Sequence, residues 1–538
     1  MGTYLNPGNS GFAEILKSDY VDKTGLISII NSTIGTKKKL TCISRPRRFG
    51  KSYAAQMLCA YYDKTCDSHE LFDGLRIAQD ESYEKNINHS QVVNIDVTSF
   101  VSEAKKEGIP LQDVPARISA AVQNDVEIQY TDLENGLTLN DTLISLVQKT
   151  GKKIVFIIDE WDSMIRETSG DSVAQERYLN LLRGWFKNNN FTPTVVAAAY
   201  MTGILPIKKD GSQSAISDFE EYSVLEPGDF AGYVGFTENE VKNICEEKQN
   251  DFEKMKLWYD GYTVGEKHSI YNPYSVMHAA GSGKFKSYWK KTSAAETLMT
   301  YIDMDQDGLQ DTIARLIAGE SVIVDTDSFQ NDVETFTCRD DVLTLLTHLG
   351  YLTYEEEPDS YDDDSVVGLV KIPNEEVRSE FDKILRKAKH KSLIQLVKKS
   401  DQLLKDTLEG KSDTVAKAIA DVHDSEYAPT YYNNEQSLRY VVKMAYISCV
   451  DQYAKVEELP SGHGMADVVF LPKRRSTLPA MIVELKWNKD AEGAIKQIKE
   501  KNYPNVLANY GGRIVLVGVN YDEDRKTHEC VIEEYSKY

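Results

Sequence analysis

One run constrains this chain more than any other: Ser44-Arg45-Pro46-Arg47-Arg48-Phe49-Gly50-Lys51-Ser52. An apolar stretch, Leu40-Thr41-Cys42-Ile43, precedes it, and a helical pattern through Tyr53, Met57, Leu58 and Tyr61 follows. Strand, loop, Gly-Lys-Ser and helix in that order make a phosphate-binding loop, in which backbone N–H groups and the positive end of the helix dipole meet phosphate oxygens. In such a loop Lys51 reaches the β- and γ-oxygens and the Ser52 hydroxyl holds Mg²⁺. The general pattern has a glycine where Arg45 stands. Arg45 therefore either narrows the loop or acts on phosphates itself. Arg47 and Arg48 read equally well as phosphate contacts or as solvated basic residues; with Phe49 and Gly50 they complete the candidate nucleotide-binding loop.

A Gly-Lys-Ser triplet alone is usually an ordinary loop, so the reading needs a second element. Lys153-Ile154-Val155-Phe156-Ile157-Ile158 is a continuous apolar, β-branched run, the signature of a strand covered on both faces. It ends in Asp159-Glu160-Trp161-Asp162. A carboxylate at the end of a buried strand beside a phosphate loop holds Mg²⁺ through water, which is the role predicted for Asp159. Glu160, next in line, is placed to polarise an attacking water. A third buried-type strand, Thr194 to Tyr200, leads into Met201-Thr202-Gly203, making Thr202 a candidate sensor of the γ-phosphate.

These segments resemble a family. The chain is similar to bacterial AAA-ATPase-like proteins that carry a C-terminal PD-(D/E)XK nuclease-like domain. The matching stretches are Tyr20-Val21-Asp22-Lys23-Thr24, Arg45 to Ser52, Ile158 to Asp162 and Met201-Thr202-Gly203-Ile204, then Tyr259-Asp260-Gly261-Tyr262, Tyr271-Asn272-Pro273 and Tyr288-Trp289. In that family an arginine stands where Arg45 does. The resemblance runs over nearly the whole chain and implies an ATPase domain, without saying what the ATPase works on.

Near the C-terminus, Gly464 to Leu471 reads as a strand, Pro472 to Pro479 as a charged turn, and Ala480 to Lys486 as the returning strand. Pairing Leu471 with Ala480 puts Asp467 opposite Glu484 on one face, with Lys486 two residues beyond. Two facing carboxylates destabilise a sheet. A divalent cation between them removes that conflict, and oxygen ligands of this kind suit Mg²⁺. Lys486 then stabilises charge developing on a scissile phosphate or orients the water. The Asp467/Glu484-x-Lys486 pattern resembles the PD-(D/E)XK nuclease core. That resemblance implies an additional acid on the preceding helix, Glu435, as a metal ligand. It also implies a supporting glutamine, Gln497, on the helix that follows. Arg513 to Val519 reads as another buried strand.

Composition sets the outer bounds. At 538 residues the chain has room for three or so domains of ~100–200 residues each. Seven scattered cysteines, never spaced Cys-x-x-Cys, argue for reduced thiols rather than zinc or a disulfide scaffold. The N-terminus lacks a basic-then-apolar signal and no stretch of ~18 apolar residues occurs, so a soluble, cytoplasmic protein is predicted. A net charge of −22 is unfavourable for phosphate contact, yet between Lys473 and Lys501 eight basic residues stand against four acids. That patch suits local, gated contact with nucleic acid, DNA first; the alternative is an ordinary solvated helix face with a basic turn. His463 either lines the site or is an ordinary loop histidine.

The middle of the chain reads as helical. Thr237-Glu238-Asn239-Glu240 fits a capping box. A helix from Asp340 to Leu349 followed by strands Gly350–Tyr354 and Val366–Ile372 suggests a winged-helix-like element. Its acidic tip (Asp359, Asp362, Asp363, Asp364) is a solvated turn rather than a DNA-inserting wing. The predicted fold is therefore α/β: an AAA-like P-loop ATPase core with a parallel sheet (1–235), a helical lid and winged-helix-like region (236–380), a helical connector (381–430) and a PD-(D/E)XK restriction-endonuclease-like α/β domain (431–538). The predicted function is an ATP-binding, Mg²⁺-dependent ATPase coupled to a phosphodiester-cleaving nuclease, in a possible homo-oligomer. The alternative is a nucleotide-switched binding or signalling protein whose nuclease-like domain recognises nucleic acid or a partner without cutting.

Overall fold

The computed structural model describes residues 2–134, 136–207, 216–265, 267–289, 309–327, 329, 336, 338–356, 367–387, 391–424, 434–447, 449, 453–461, 464–472, 478–501, 507 and 513–535. His463, Lys473, Arg474, Arg475 and the acidic tip at Asp359 and Asp362 to Asp364 lie outside them. The chain divides into two compact units, Met1–Trp289 with Ile323–Glu376, and Lys290–Val322 with Val377–Tyr538.

In the first unit, apolar β-branched runs that must be covered on both faces form a parallel sheet. Its strands are β1 (Leu40–Ser44), β2 (Gln91–Asp96), β3 (Ile154–Asp159), β4 (Val196–Gly203) and β5 (Glu220–Tyr222), in the order β2-β3-β4-β1-β5. All four pairings are parallel. Every residue of β1, β3 and β4 is buried. Ser44 pairs with Gly203 and Ile158 with Met201. That register brings the loop after β1, the end of β3 and Thr202 to one edge, where ligands of open α/β sheets bind. Helix α1 (Lys51–Tyr62) starts from that loop and α2 (Ser163–Glu167) follows the end of β3.

The third strand differs from its predicted span. Phe191–Val195 is a short helix and the strand runs from Val196 to Gly203. Pro193, which lacks an N–H, sits in the first turn of that helix, where none is needed. The strand then continues through Thr202 because β1 supplies partners as far as Ser44.

Two small sheets complete the unit. One orders β6 (Phe236–Thr237), β7 (Tyr262–Val264) and β8 (Lys267–Tyr271) as β6-β8-β7; the other orders β9 (Val322–Asp325), β10 (Thr353–Glu356) and β11 (Val367–Lys371) as β10-β11-β9. The predicted capping box at Thr237 and Glu240 is present. The helix Arg339–Leu349 precedes the β10–β11 hairpin as expected, but the strand begins at Thr353. Gly350 and Tyr351 instead close the helix, their N–H groups bonding back to the Thr347 and Leu346 carbonyls at 3.0 and 2.8 Å. Helix α3 (Pro273–Ser282) starts at Asn272, whose side chain accepts from the N–H groups of Tyr274 and Ser275.

In the second unit, helix α4 (Glu435–Ala445) precedes a mixed sheet. Its strands are β12 (Tyr453–Ser461), β13 (Gly464–Pro472), β14 (Ala480–Trp487), β15 (Ile514–Asp522) and β16 (Thr527–Tyr535), hydrogen-bonded in chain order. The β14–β15 pair is parallel, with α5 (Ala491–Glu500) in the crossover; the other three pairs are antiparallel. Ile495 and Ile498 of α5 pack on Ala466, Val469, Ile482 and Leu516. Strands β12 and β16 were not expected from the sequence. Both carry charged residues without a continuous apolar run and lie at the two edges of the sheet. Among the described residues no helix is long and apolar enough to cross a membrane.

Gly261 is the tightest backbone approach that a side chain would block. Its φ is +98° and a Cβ there would lie 1.9 Å from the Pro373 carbonyl oxygen. Left-handed backbone alone costs an alanine ~1–2 kcal/mol, and the clash adds to it. Gly261→Ala is therefore expected to lower the unfolding free energy of the first unit by more than ~2 kcal/mol, read as a drop in its urea midpoint.

Candidate nucleotide and metal sites

The loop after β1 is shaped from inside by Arg45. Its side chain is fully buried, and its Nη1 donates to the carbonyls of Ser44 (2.9 Å), Tyr222 (2.9 Å) and Ser223 (2.7 Å). Burial pulls its pKa down to about 10, still high enough to keep the charge at neutral pH. Arg45, expected either to narrow the loop or to bind nucleotide, directs its Nη1 to main-chain carbonyls at the ends of β1 and β5. Arg47 and Arg48 part company. Arg47 is exposed, and its charge acts on Glu160. Arg48 has φ +71° and is anchored, with its guanidinium 4.3 Å from the Tyr274 ring centroid and Nη1 bonded to the Tyr288 carbonyl at 2.8 Å. Phe49 packs edge-on against Tyr262, centroids 5.2 Å apart. Gly50 caps α1 at φ +93°, a conformation that a side chain disfavours.

Lys51, nearly buried, donates to the carbonyls of Arg45 (3.0 Å) and Pro46 (3.1 Å) and lies 3.5 Å from Glu160 Oε1. Asp159 at the end of β3 accepts a hydrogen bond from the Thr202 hydroxyl and another from Ser52. Burial raises its pKa, and the neighbouring Glu160 charge adds to that effect against those bonds. Thr202 is thereby spent on Asp159 and lies close to the Glu160 N–H (3.4 Å), so it braces the acids directly. Glu160 has φ +52°, which turns its side chain away from the strand. Its Oε2 meets Arg166 Nη2 at 3.0 Å, while Arg166 Nε donates to Asp162 Oδ2 at 2.8 Å. Burial pushes the Glu160 pKa up, but Lys51, Arg166 and Arg47 together outweigh it and hold the carboxyl below its ordinary value.

Beside these groups opens a cavity of about 500 Å³, within the ~300–1,000 Å³ of small-molecule sites. Its lining includes Gly50, Lys51, Ser52 and Glu160 together with Tyr20, Val21, Phe236, Tyr274 and Met277. Charged and aromatic side chains lining one cavity suit phosphates joined to a planar base. Sequence reasoning missed Arg166 and Asp162. Their signal was the i,i+4 spacing that puts both on one side of a helical turn.

In the second unit the β13–β14 ladder has the expected register: Val468 pairs with Val483 and Phe470 with Met481. Continued by one step, that register sets Asp467 opposite Glu484. Asp467 Oδ2 accepts the Leu485 N–H at 2.8 Å, and its Oδ1 accepts from Arg439 Nη2 at 2.6 Å. Glu484 Oε1 accepts from Lys486 Nζ at 3.1 Å and from Gln497 Nε2. Its Oε2 is buried with no hydrogen-bond partner. Glu435, at the start of α4, acts on Glu484 through its charge. Among the described residues no group of three His, Cys, Asp or Glu side chains is arranged to hold a metal ion. Yet an orphaned buried carboxylate oxygen facing a second carboxylate is a donor set that fits a divalent cation. The basic patch is thinner than the sequence count implied: Lys499 pairs with Glu533 of β16 and Lys496 with Glu500. Arg439 was missed too, although it lies one helical turn after Glu435.

Residues 7–212 match the family model of predicted AAA-ATPases, and residues 433–530 match that of the PD-(D/E)XK nuclease superfamily. The chain carries an AAA-ATPase-like domain followed by a PD-(D/E)XK nuclease-superfamily domain. No curated protein matches it. Among solved structures, the Aeropyrum pernix ORC2 protein (ADPNP-ADP complexes) is similar at 12% identity and TM-score 0.33, over 69% of this chain and 96% of that one. The Aeropyrum pernix ORC1 protein in complex with DNA is similar at 10% identity and TM-score 0.24, over 85% and 91%. Scores this low carry no functional conclusion.

Burial, reinforced by the Asp467 charge, pushes the Glu484 pKa from 4.5 up to about 7. The folded state therefore holds a proton that the unfolded state releases between those values, and stability falls as pH rises through that window. Metal-free protein is expected to lose stability between about pH 4.5 and 7 through this group. Glu484→Gln should flatten that part of the profile, as read from urea midpoints across pH in EDTA.

Proposed function

We propose that the chain is a P-loop ATPase whose C-terminal domain hydrolyses phosphodiester bonds of nucleic acid with the help of Mg²⁺. The observation that carries the ATPase half is the meeting of Lys51, Ser52, Asp159 and Glu160 beside a cavity that aromatic side chains also line. Lys51 lies 3.5 Å from Glu160 Oε1 and donates to the Arg45 and Pro46 carbonyls, and on binding it exchanges these contacts for phosphate oxygens. Ser52 and Asp159, already hydrogen-bonded, are suited to hold Mg²⁺ directly and through water. Glu160, held below its ordinary pKa by Lys51, Arg166 and Arg47, accepts a proton from the attacking water. Thr202 keeps Asp159 oriented and so couples β4 to the nucleotide's presence.

For the nuclease half, Asp467 and Glu484 are the proposed ligands, with Glu435 near enough to add a third charge. Mg²⁺ bound there supplies a lowered water pKa and a Lewis acid for the scissile phosphate. Lys486 holds Glu484 and presents positive charge to a phosphate; Gln497 fixes the same carboxylate oxygen. DNA is the proposed substrate class, and the boundaries near 235, 380 and 430 are the proposed domain limits. One observation favours the reading in which the domain binds without cutting: the protein's own cations already neutralise both carboxylates.

Glu160→Gln is expected to keep ATP binding while lowering phosphate release ~10²-fold or more; Lys51→Ala should abolish binding, checked by fluorescent-nucleotide titration. Asp467→Ala should eliminate Mg²⁺- or Mn²⁺-dependent cleavage of DNA and RNA panels without changing ATP affinity. Wild-type protein that cleaves nothing, with or without ATP, and takes up no metal defeats the nuclease half and leaves the binding-only reading.

A further inference from the structure

Asp467 has two oxygens to offer, and both are taken. Oδ2 receives the Leu485 N–H, a main-chain donor of the neighbouring strand that cannot move without opening the ladder. Oδ1 is therefore the oxygen available to a cation, and Arg439 occupies it at 2.6 Å with both side chains largely buried. On Glu484, Lys486 and Gln497 share Oε1 and leave Oε2 without a partner. The two oxygens a divalent ion needs are thus in opposite states, one bare and one covered by a guanidinium. Arg439 stands four residues after Glu435 on α4, so one helix face carries both the candidate third acid and the cation.

Resting on the metal reading above, we infer that Arg439 is an internal counter-cation that holds Asp467 in orientation and competes with a divalent ion for Oδ1. A charge-assisted bond in a largely buried site is strong, and a guanidinium and a divalent cation repel, so Arg439 at Oδ1 weakens metal binding there. Metal affinity is then set by competition within the domain as well as by the ligands. Arg439 acts through Asp467 and is a positioning residue.

The test is calorimetric titration of the full-length protein with Mn²⁺ and with Mg²⁺, comparing wild type with Arg439→Gln and Arg439→Lys. Losing a charge-assisted hydrogen bond removes a competitor equivalent to about 10- to 100-fold in affinity. Arg439→Gln should bind Mn²⁺ tighter by at least about tenfold and melt lower than wild type in EDTA, with Mn²⁺ restoring the difference. Arg439→Lys, which keeps the charge but not the planar guanidinium, should fall between the two. Equal or weaker metal binding by Arg439→Gln in a folded protein overturns the inference. If that variant does not fold, an unchanged affinity in Arg439→Lys overturns it instead. Wild type and variants that bind equally well defeat only this inference; silence from all of them defeats the metal reading beneath it.

Discussion

A carboxylate taken out of water needs a positive partner or a proton, and this requirement organises both units. Asp159, Glu160 and Asp162 gather at the end of β3, and Asp467 and Glu484 face each other across β13 and β14. An ionised group left alone in such surroundings costs several kcal/mol. In the first unit Lys51 and Arg166 bracket Glu160, and Arg166 also reaches Asp162. In the second, Arg439 and Lys486 divide the two acids between them, and Glu484 additionally tends toward its protonated form. Glu160, Asp162, Asp467 and Glu484 thus each have a cation of the chain as partner, while Asp159 rests on the Ser52 and Thr202 hydroxyls. An entering ligand must exchange these partners.

Arg45 answers a related problem from the other side. A bulky cation where a phosphate loop ordinarily bends at glycine has to be accommodated beneath the loop. Three carbonyls along β1 and after β5 receive it. The loop thereby gains a fixed link to the sheet edge, while Arg48 ties its outer side to Tyr274 and Tyr288. Between these two anchors Gly50 and Lys51 present the start of α1 to the cavity.

Much of this was legible beforehand, because it depends on pattern and spacing. The continuous apolar runs foretold buried parallel strands, and equal distances from a turn foretold the pairing that sets Asp467 opposite Glu484. The misreadings have physical causes. The strand at Val196 was begun two residues early because Pro193 and Thr194 look extended in isolation yet close a helical turn. Edge strands β12 and β16 escaped notice because their charged residues leave no continuous apolar run. Counting charge along the chain overstated the basic patch, since Glu533 comes from a distant strand.

By itself the sequence determined the candidate chemistry: which acids end strands, where a helix begins on Gly-Lys-Ser, and which two carboxylates share a face. Those follow from periods of 2 and 3.6 residues, which are local properties of a polypeptide. Only the tertiary structure decided which cation neutralises which acid. Arg45 turns inward, Arg166 serves Glu160, and Arg439 reaches a strand 28 residues away in sequence. Ion pairing depends on distance through space and on the dielectric of the surroundings, and neither quantity exists until the chain has packed.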